Sequence, residues 1–309
     1  MGRSAAETAL DVARVAKDKR MQAKSLRVLA AVLFQLREFS TAMKSSEKAL
    51  ALFKQSNDRR GEALEMVSQA QWHLSQDEPR QAVEVATKAL EIFWEAGPGK
   101  GMRQVAALEA LVDGYIANGE AGEAVDVAEE GVDQIRELED RKGEADAWYT
   151  LFRAYFANED LKEAFDAAER SQILYIRRKN EKQEAGLYMA CTYLFFQRDY
   201  AGKALQATQM ASKIYQRIGS PEEQARCQQR LAEVHLERGE FGEAMLAAES
   251  ARELCESCGD RRFEAVVHMT MSGINYNAEQ DNFEAALEPA EKAQSIAREL
   301  EDTRAEATT

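Results

Sequence analysis

Apolar and polar residues follow one another along the chain with the period of amphipathic helices. The clearest stretch is 144–178, where apolar residues at i, i+3, i+4 and i+7 share one helical face: Trp148, Leu151, Phe152 and Tyr155. A polar break at 158–160 follows, and a second apolar face then includes Leu161, Ala164, Phe165, Ala168 and Ile173. The pattern predicts two helices joined by a short turn.

This pair of helices recurs seven times with a period close to forty residues. One ladder of small apolar residues, the first ladder, marks the first helix of each copy: Ala23, Ala63, Val105, Ala145, Ala185, Ala225 and Ala265. A second ladder marks the second helix: Ala42, Ala82, Ala124, Ala164, Ala204, Ala244 and Ala286. Alanine at a fixed position indicates a close helix crossing, because a larger side chain would not fit there. A constant period of this length is typical of stacked helical repeats.

The repeat predicts a single solenoid domain over residues 1–309. Its units are expected at about 21–60, 61–100, 101–140, 141–180, 181–220, 221–260 and 261–302. Residues 5–18 are predicted to form a lone second helix as a partial unit, followed at the other end by a tail at 303–309. Neither end has the polar capping element with which a solenoid normally finishes. We therefore expect a fragment of a longer protein, or a subunit whose ends are covered by neighbours.

These residues resemble the tetratricopeptide repeat (TPR) family, whose units place large apolar residues on the first helix and small residues on the second. Its forty-residue period and the joint ARELCESCGDRRFEA at 251–265 are most similar to the LGN/Pins and kinesin-light-chain type. Phe152 departs from the pattern, because the family usually has a small residue there. The resemblance covers essentially the whole chain. It implies an all-α fold: a right-handed α-solenoid (superhelix) of seven antiparallel helix-turn-helix repeats plus a partial N-terminal helix.

Polar residues at the turns predict how the helices begin. Glu, Asp or Asn stands just before most second helices, as in LREF and RGEF, and is expected to cap them. Ser220 and Glu223 have the spacing of a capping box, with proline in the first turn. Pro289 is predicted to kink the last helix or displace its start, because proline cannot donate to the carbonyl four residues back. GPGKG at 97–101 and AEQDN at 278–282 lengthen their turns.

Composition narrows the choice of partner. Four prolines in 309 residues favour a helical protein over a β-sandwich, and no apolar run reaches the roughly 18 residues that cross a bilayer, so membrane insertion is not expected. A net charge of −14 argues against nucleic acid and favours a basic or amphipathic protein partner, although acidity that serves only solubility is an equal alternative. Four cysteines are too few for a disulfide framework and favour a reducing, cytoplasmic compartment.

Candidate chemistry is sparse. Cys255 and Cys258 would supply only two of the four ligands of a zinc site, and they lie at a helix C-terminus, where the dipole does not stabilise thiolate. We interpret both as packing residues. GPGKG lacks the Ser or Thr and the preceding strand of a phosphate loop, and none of the three histidines has the companions of a catalytic triad. The sequence therefore predicts a protein that is not an enzyme, with no catalytic residue, cofactor or metal.

The resemblance implies a groove, because first helices line the concave side in this family. The matching positions give a candidate partner-binding set: Arg27, Phe34, Glu109, Asp113, Tyr149, Arg153, Phe156, Met189, Tyr193 and Phe196. Aromatic residues and methionine beside isolated charges are typical of binding hot spots. The alternative is that these rings pack between neighbouring helices. The Lys, Asn and Arg clamp with which some TPR proteins hold a terminal carboxylate is absent, so an acidic C-terminal peptide is not expected.

The sequence thus favours a non-enzymatic protein–protein interaction scaffold that binds a helical or extended partner segment in its groove. Two alternatives stay open. The chain could be an architectural subunit of a large multiprotein assembly that uses its convex face and ends, or the sensor arm of a larger signalling protein.

Overall fold

The computed structural model describes residues 2–95, 102–139, 141–197, 200–278 and 283–300, and these ranges contain fifteen α-helices and no strand. Helix α1 (Gly2–Val15) precedes seven helix pairs. The first helices of the pairs are α2 (Lys19–Gln35), α4 (Arg59–Ser75), α6 (Met102–Ala117), α8 (Arg141–Ala157), α10 (Glu181–Gln197), α12 (Pro221–Glu237) and α14 (Arg261–Ala278). The second helices are α3 (Phe39–Gln55), α5 (Pro79–Glu95), α7 (Ala121–Glu137), α9 (Leu161–Arg177), α11 (Ala201–Ile218), α13 (Phe241–Cys258) and α15 (Phe283–Glu299). The predicted all-α repeat of helix pairs is confirmed.

Contacts divide the chain into two compact units, unit 1 (residues 1–174) and unit 2 (residues 175–309). In unit 1, α1 packs on α2, α2 on α3, α4 on α5, and α6 on both α7 and α8. In unit 2, each helix from α10 to α14 packs on the next one along the chain. The single solenoid domain stays a prediction. The long joint at 97–101 and most of the turn at 278–282 lie outside the described residues.

The alanine ladders lie where helices cross. Six members of the second ladder are at most 1% exposed, and Ala286 is 9% exposed. The first ladder is equally buried except at Ala265, which is half-buried. The crossings leave no room for larger groups: a Cβ added to Gly131 of α7 would lie 2.5 Å from Cδ2 of Leu108 on α6. Small residues therefore set how closely the helices pack.

The recurring joints connect the start of a first helix to the end of the next second helix. Arg59 binds Glu62 on its own helix, at 3.3 Å from Nη1 to Oε2, and Glu95 at the end of α5, at 2.8 Å from Nη2 to Oε2. Arg261 repeats this arrangement with Glu264 and with a glutamate at the end of α15, both at 2.8 Å. The repeated sequence of the joint thus reflects a repeated ion-pair pattern within a helix pair.

The expected capping of second helices is wrong in detail. Glu38, Glu120 and Glu240 occupy N-cap positions without a side-chain capping hydrogen bond. Glutamate is long enough to bind elsewhere, and the Glu240 carboxylate instead accepts hydrogen bonds from Arg238 and lies against His235. Ser220 also makes no capping bond, so the predicted capping box does not form, although proline does begin α12.

Aspartates cap first helices instead. Backbone N–H groups donate to Asp18, Asp58 and Asp260 at 3.0–3.1 Å, at the starts of α2, α4 and α14. The residues that reverse the chain before many helices have positive φ, between 52° and 79°: Lys17, Arg37, Asn57, Asp77, Gly119, Glu139, Glu159, Lys179, Gly219, Gly239 and Gly259. This left-handed conformation is what favours Gly and Asn in such turns.

Helix α15 continues through Pro289 from Phe283 to Glu299. Proline leaves the carbonyl four residues earlier without its helical partner. Asn275 of α14 donates its side-chain amide to that carbonyl, on Ala285, at 2.7 Å, and Ser272 donates its hydroxyl to the carbonyl of Ala286 at 2.8 Å. The neighbouring helix therefore satisfies the groups that the proline leaves open, and the helix does not start after it.

Candidate functional site

The first helices of unit 1 form a shared surface. Helix α4 contacts both α2 and α6, and α6 contacts α8, so the four helices lie side by side. We call the side that carries the fourth and eighth residues after each first-ladder position the first-helix face. The predicted groove residues of unit 1 stand at these positions or three residues further on. In unit 2, α12 likewise contacts α14.

An acidic cluster lies on this face between α6 and α8. We define it as Glu109 and Asp113 of α6 with Asp146 of α8. Arg153 of α8 bridges to α6, with its Nη2 2.5 Å from Oδ1 of Asp113, and both side chains are about one-third exposed, at 33% and 31%. The charges of Asp146, Asp113 and Arg153 all act on Glu109 within this cluster. Because three carboxyl groups lie together here, the cluster is a candidate site for a cationic group of a partner.

Glu109 is a carboxyl of the cluster with a raised pKa. Its pKa rises to about 7, mainly because of burial and also because of the neighbouring charges of Asp146 and Asp113, while Arg153 lowers it. Near neutral pH this carboxyl is therefore only partly ionised. A cation placed beside it would favour the ionised form and would be held by it.

Two aromatic side chains adjoin the cluster and differ in accessibility. Tyr149 is half-buried, with the guanidinium of Arg153 5.9 Å from its ring centroid. Phe156 is 5% exposed, and its ring centroid lies 6.4 Å from that of Phe152. Phe156 is therefore packed among its neighbours, because position eleven after the first ladder faces inward in this pair, and its role as a groove residue stays a prediction.

At α2 the two predicted residues lie in different surroundings. Phe34 is half-buried and stacks on Trp72 of α4, with ring centroids 4.9 Å apart and planes 10° apart. Arg27 is half-buried near Glu65, a fully buried carboxyl that accepts a hydrogen bond from Ser46. Burial raises the pKa of Glu65, and the charge of Arg27 opposes that rise.

Sequence reasoning missed the cations around Arg27. A cavity of about 440 Å³ between α2 and α4 is lined by four cations, which we call the basic pocket: Arg20, Lys24, Arg27 and Arg60. Asp58 also lines it and accepts from Nε of Arg20 at 2.7 Å. The available signal was the i, i+4, i+7 spacing on α2 of three cations in a chain of net charge −14. The fourth comes from another helix, so no local pattern could add it.

The predicted residues of unit 2 are less charged. Tyr193 is 48% exposed, and the guanidinium of Arg230 on α12 lies 5.8 Å from its ring centroid. Met189 is half-buried and packs against a core cluster, with Sγ of Cys227 3.2 Å from its Sδ. Phe196 is half-buried. Tyr193 is thus the most accessible of the predicted aromatic residues.

The cysteine pair at the end of α13 packs as the sequence predicts. Cys255 is fully buried in a cluster with Ala225 and Val267, and burial raises the pKa of its thiol to about 12. Cys258 is partly exposed. Among the described residues, no group of three or more His, Cys, Asp or Glu side chains has an arrangement that could hold a metal ion. None of the described helices has the length and apolar character that crossing a membrane requires.

Comparison with known proteins identifies the fold and not the function. No protein-family model and no curated protein matches the sequence. Among solved structures, BtubC (BKLC) from P. vanneervenii superposes with a TM-score of 0.61 at 16% identity, over 72% of this chain and 92% of that one. A Rap protein complexed with competence and sporulation factor gives a TM-score of 0.57 at 15% identity, over 92% and 76%. The TPR-like repeats of a putative kinesin light chain from Podosopora anserina give 0.51 at 19%, over 63% and 95%. The chain has a TPR-like repeat fold.

Proposed function

We propose that this chain is a non-enzymatic interaction scaffold whose first-helix face binds a helical or extended segment of a protein partner. The observation that carries the proposal is the acidic cluster beside Tyr149. The grouped carboxyls of Glu109, Asp113 and Asp146 favour a cation, and the adjacent half-buried ring of Tyr149 offers apolar contact. A partner segment with a Lys or Arg next to an apolar residue satisfies both.

The basic pocket supplies a second contact on the same face of unit 1. Four cations with one aspartate favour an acidic side chain of the partner. A segment with basic and acidic residues at separate positions would then bind in one direction only, because reversal would oppose like charges. Support from likeness is limited to the fold: the Rap structure described above holds a factor bound to a protein of similar fold.

The test is site-specific photocrosslinking. Tyr149 and Tyr193 are each replaced by a photoreactive phenylalanine analogue, and Leu246, a 61% exposed residue of the second helix α13, serves as the matched control. The captured peptides are identified by mass spectrometry. We expect crosslinks from position 149 to segments that contain basic and apolar residues. Crosslinks that concentrate at position 246, or segments without basic residues, would contradict the proposal.

A second candidate function rests on the second helices of unit 2. Exposed apolar side chains there include Met210 of α11 at 42%, Leu246 of α13 at 61% and Leu287 of α15 at 55%. Exposed apolar side chains on several helices suit an interface within a larger assembly. The same crosslinking experiment separates this architectural role from groove binding, because position 246 belongs to this surface.

A further inference from the structure

The three histidines of the chain make different contacts. Nδ1 of His73 lies 2.7 Å from Oε2 of Glu78, and Nδ1 of His235 lies 2.6 Å from Oε2 of Glu240. His268 is only 6% exposed, and within the described part of the chain no group hydrogen-bonds its Nδ1. Buried polar atoms normally have a partner. The unpartnered nitrogen of His268 therefore requires an explanation that the other two histidines do not.

The repeat does not require a histidine at this position. His268 stands three residues after the first-ladder position, and the equivalent residues of the first three pairs are Leu26, Met66 and Leu108, exposed by 6%, 9% and 0%. In these three pairs the fold fills the position with an apolar side chain. An imidazole here adds a hydrogen-bonding group without a packing need.

The imidazole faces a cavity of about 630 Å³ formed by α13, α14 and α15 of unit 2. Part of its wall is apolar, with Met245, Met271, Pro289 and Ile296. The carboxylates that line it come from all three helices: Glu249, Glu256, Glu264, Glu288 and Glu299. The lining cations are Arg252, Arg261 and Lys292. The cavity therefore combines apolar surface with five carboxylates against three cations.

Each of these cations is already bound to lining carboxylates. Arg252 pairs with Glu256, and Nζ of Lys292 lies 2.8 Å from Oε1 of Glu288. Arg261 binds a glutamate of α14 and another of α15, as described for the joints. The excess of two negative charges is thus left to attract a further cation.

The protonation state of His268 suits a cavity that attracts a cation. Burial lowers the pKa of His268, and the nearby charges of Lys292 and Arg252 lower it too, whereas Glu264 and Glu256 raise it. The imidazole is therefore neutral at neutral pH. Its Nε2 lies 4.0 Å from Oε1 of Glu264, which favours the proton on Nε2 and leaves Nδ1 as an acceptor without a donor among the described residues.

We infer that this cavity binds an alkylammonium or guanidinium group, with Nδ1 of His268 and the lining carboxylates accepting its N–H donors. The apolar wall packs against the aliphatic stem that carries the cation, and methionine adapts its shape to such a stem. The source we favour is a lysine or arginine side chain of a partner segment. This site is built from α13, α14 and α15 of unit 2 and uses no residue of the first-helix face of unit 1, so it does not depend on groove binding there.

The three histidines provide the measurement. Protein labelled with ¹⁵N-histidine is titrated with a blocked Gly-Lys-Gly peptide, with the matched norleucine peptide and with putrescine, and the ring nitrogen signals are followed by NMR. We expect the lysine peptide to shift the signals of His268 and not those of His73 and His235. Binding should weaken as the pH falls through the pKa of His268, because a protonated imidazole repels the cation.

Variants locate the site by isothermal titration calorimetry with the lysine peptide. His268→Leu places at this position the residue found in the first and third pairs, so helicity measured by circular dichroism should persist while affinity falls about tenfold. Glu288→Gln should weaken binding similarly, because it removes a carboxylate and frees Lys292. Glu284→Gln, exposed on the same helix outside the cavity, is the matched control and should bind as the parent does.

The probes separate the outcomes. Binding of the lysine peptide but not of putrescine assigns the cation to a partner side chain, and equal binding of both assigns it to free amines; both results support the alkylammonium site. The inference is overturned by norleucine binding as well as lysine, by signals of His268 that do not shift with any amine, or by variants that bind unchanged.

Discussion

Equivalent positions of the repeat carry different chemistry in the two units. On α6 and α8 of unit 1 they hold half-buried charges, with Arg153 bridging two adjacent first helices through Asp113. On α10 of unit 2 they hold Met189 and Tyr193, and the tyrosine is nearly half-exposed at 48%. The same backbone register therefore supports an electrostatic site in one unit and an accessible aromatic side chain in the other. The repeat determines where these residues lie, and the individual side chain determines what the surface can bind.

The largest effect is expected where the units are alike. Ala164 in unit 1 and Ala244 in unit 2 are at most 1% exposed at helix crossings. Leucine at either position should overpack the crossing and lower the free energy of unfolding by about 1–3 kcal/mol. Urea unfolding followed by circular dichroism measures this, with Ala117→Leu at the exposed end of α6 as the control. Unchanged unfolding of both variants would contradict the close crossing.

The second-largest effect is expected in the pH dependence of stability, through the raised pKa of Glu109 in unit 1. The pKa of Glu109 rises from 4.5 in the unfolded chain to about 7 in the folded one, so its stabilising contribution is present below pH 4.5 and is lost as the pH rises through 7. The parent should lose roughly 2 kcal/mol of unfolding free energy as the pH rises from 4.5 through 7, and Glu109→Gln should abolish this loss. Thermal unfolding between pH 5 and pH 8 measures it. The exposed Glu123→Gln is the control, and a Gln variant that keeps the parent's pH dependence would refute the assignment.

Replacing Arg153 in unit 1 and Arg230 in unit 2 compares the acidic cluster with the surroundings of Tyr193. Arg153→Met should cost about 1–2 kcal/mol, because it removes the guanidinium that binds Asp113 across two helices, after allowance for solvent screening of a side chain that is 33% exposed. Arg230→Met should cost less than about 0.5 kcal/mol, because its pair with Glu233 is an i,i+3 pair within one helix. Chemical denaturation of both variants tests this order. Equal costs would show that the two sites do not differ in electrostatic character.

The smallest change in stability is expected for Tyr193→Ala, below about 0.5 kcal/mol, because the ring is nearly half-exposed. Capture of the partner identified by crosslinking should nevertheless fall for both Tyr193→Ala and Tyr149→Ala, with helicity preserved. Pull-down with the purified partner measures this. Retention of full capture by both variants would place the binding surface elsewhere.

The sequence predicts the helix pairs and their crossings because both depend on short-range patterns. Alanines such as Ala164 and Ala244 mark the crossings directly, because only a small side chain fits there. The sequence does not predict a hydrogen bond whose partner lies on another helix. The carbonyl of Ala285, left open by Pro289, accepts a hydrogen bond from Asn275, a residue of the preceding helix. The N-cap glutamate Glu240 has the right residue type, but its side chain binds Arg238 and lies against His235 instead.

The candidate sites were predicted less completely for the same reason. The resemblance placed Tyr149 and Tyr193 correctly on first helices, but burial of Phe156 depends on neighbouring helices that no local spacing describes. The basic pocket and the cavity at His268 each combine residues from two or three helices. Their composition becomes visible only when the helices are brought together.

The positions of the cysteines have a practical consequence. Cys191, Cys227 and Cys255 are enclosed by the fold, and burial raises the pKa of each thiol to about 12, so little thiolate forms there. Cys258 is the partly exposed one. A maleimide dye should therefore attach to the native chain at one point beside the α13–α14 joint. The rate at which the three buried cysteines then react with further dye would report the rate of local opening of the repeats that contain them.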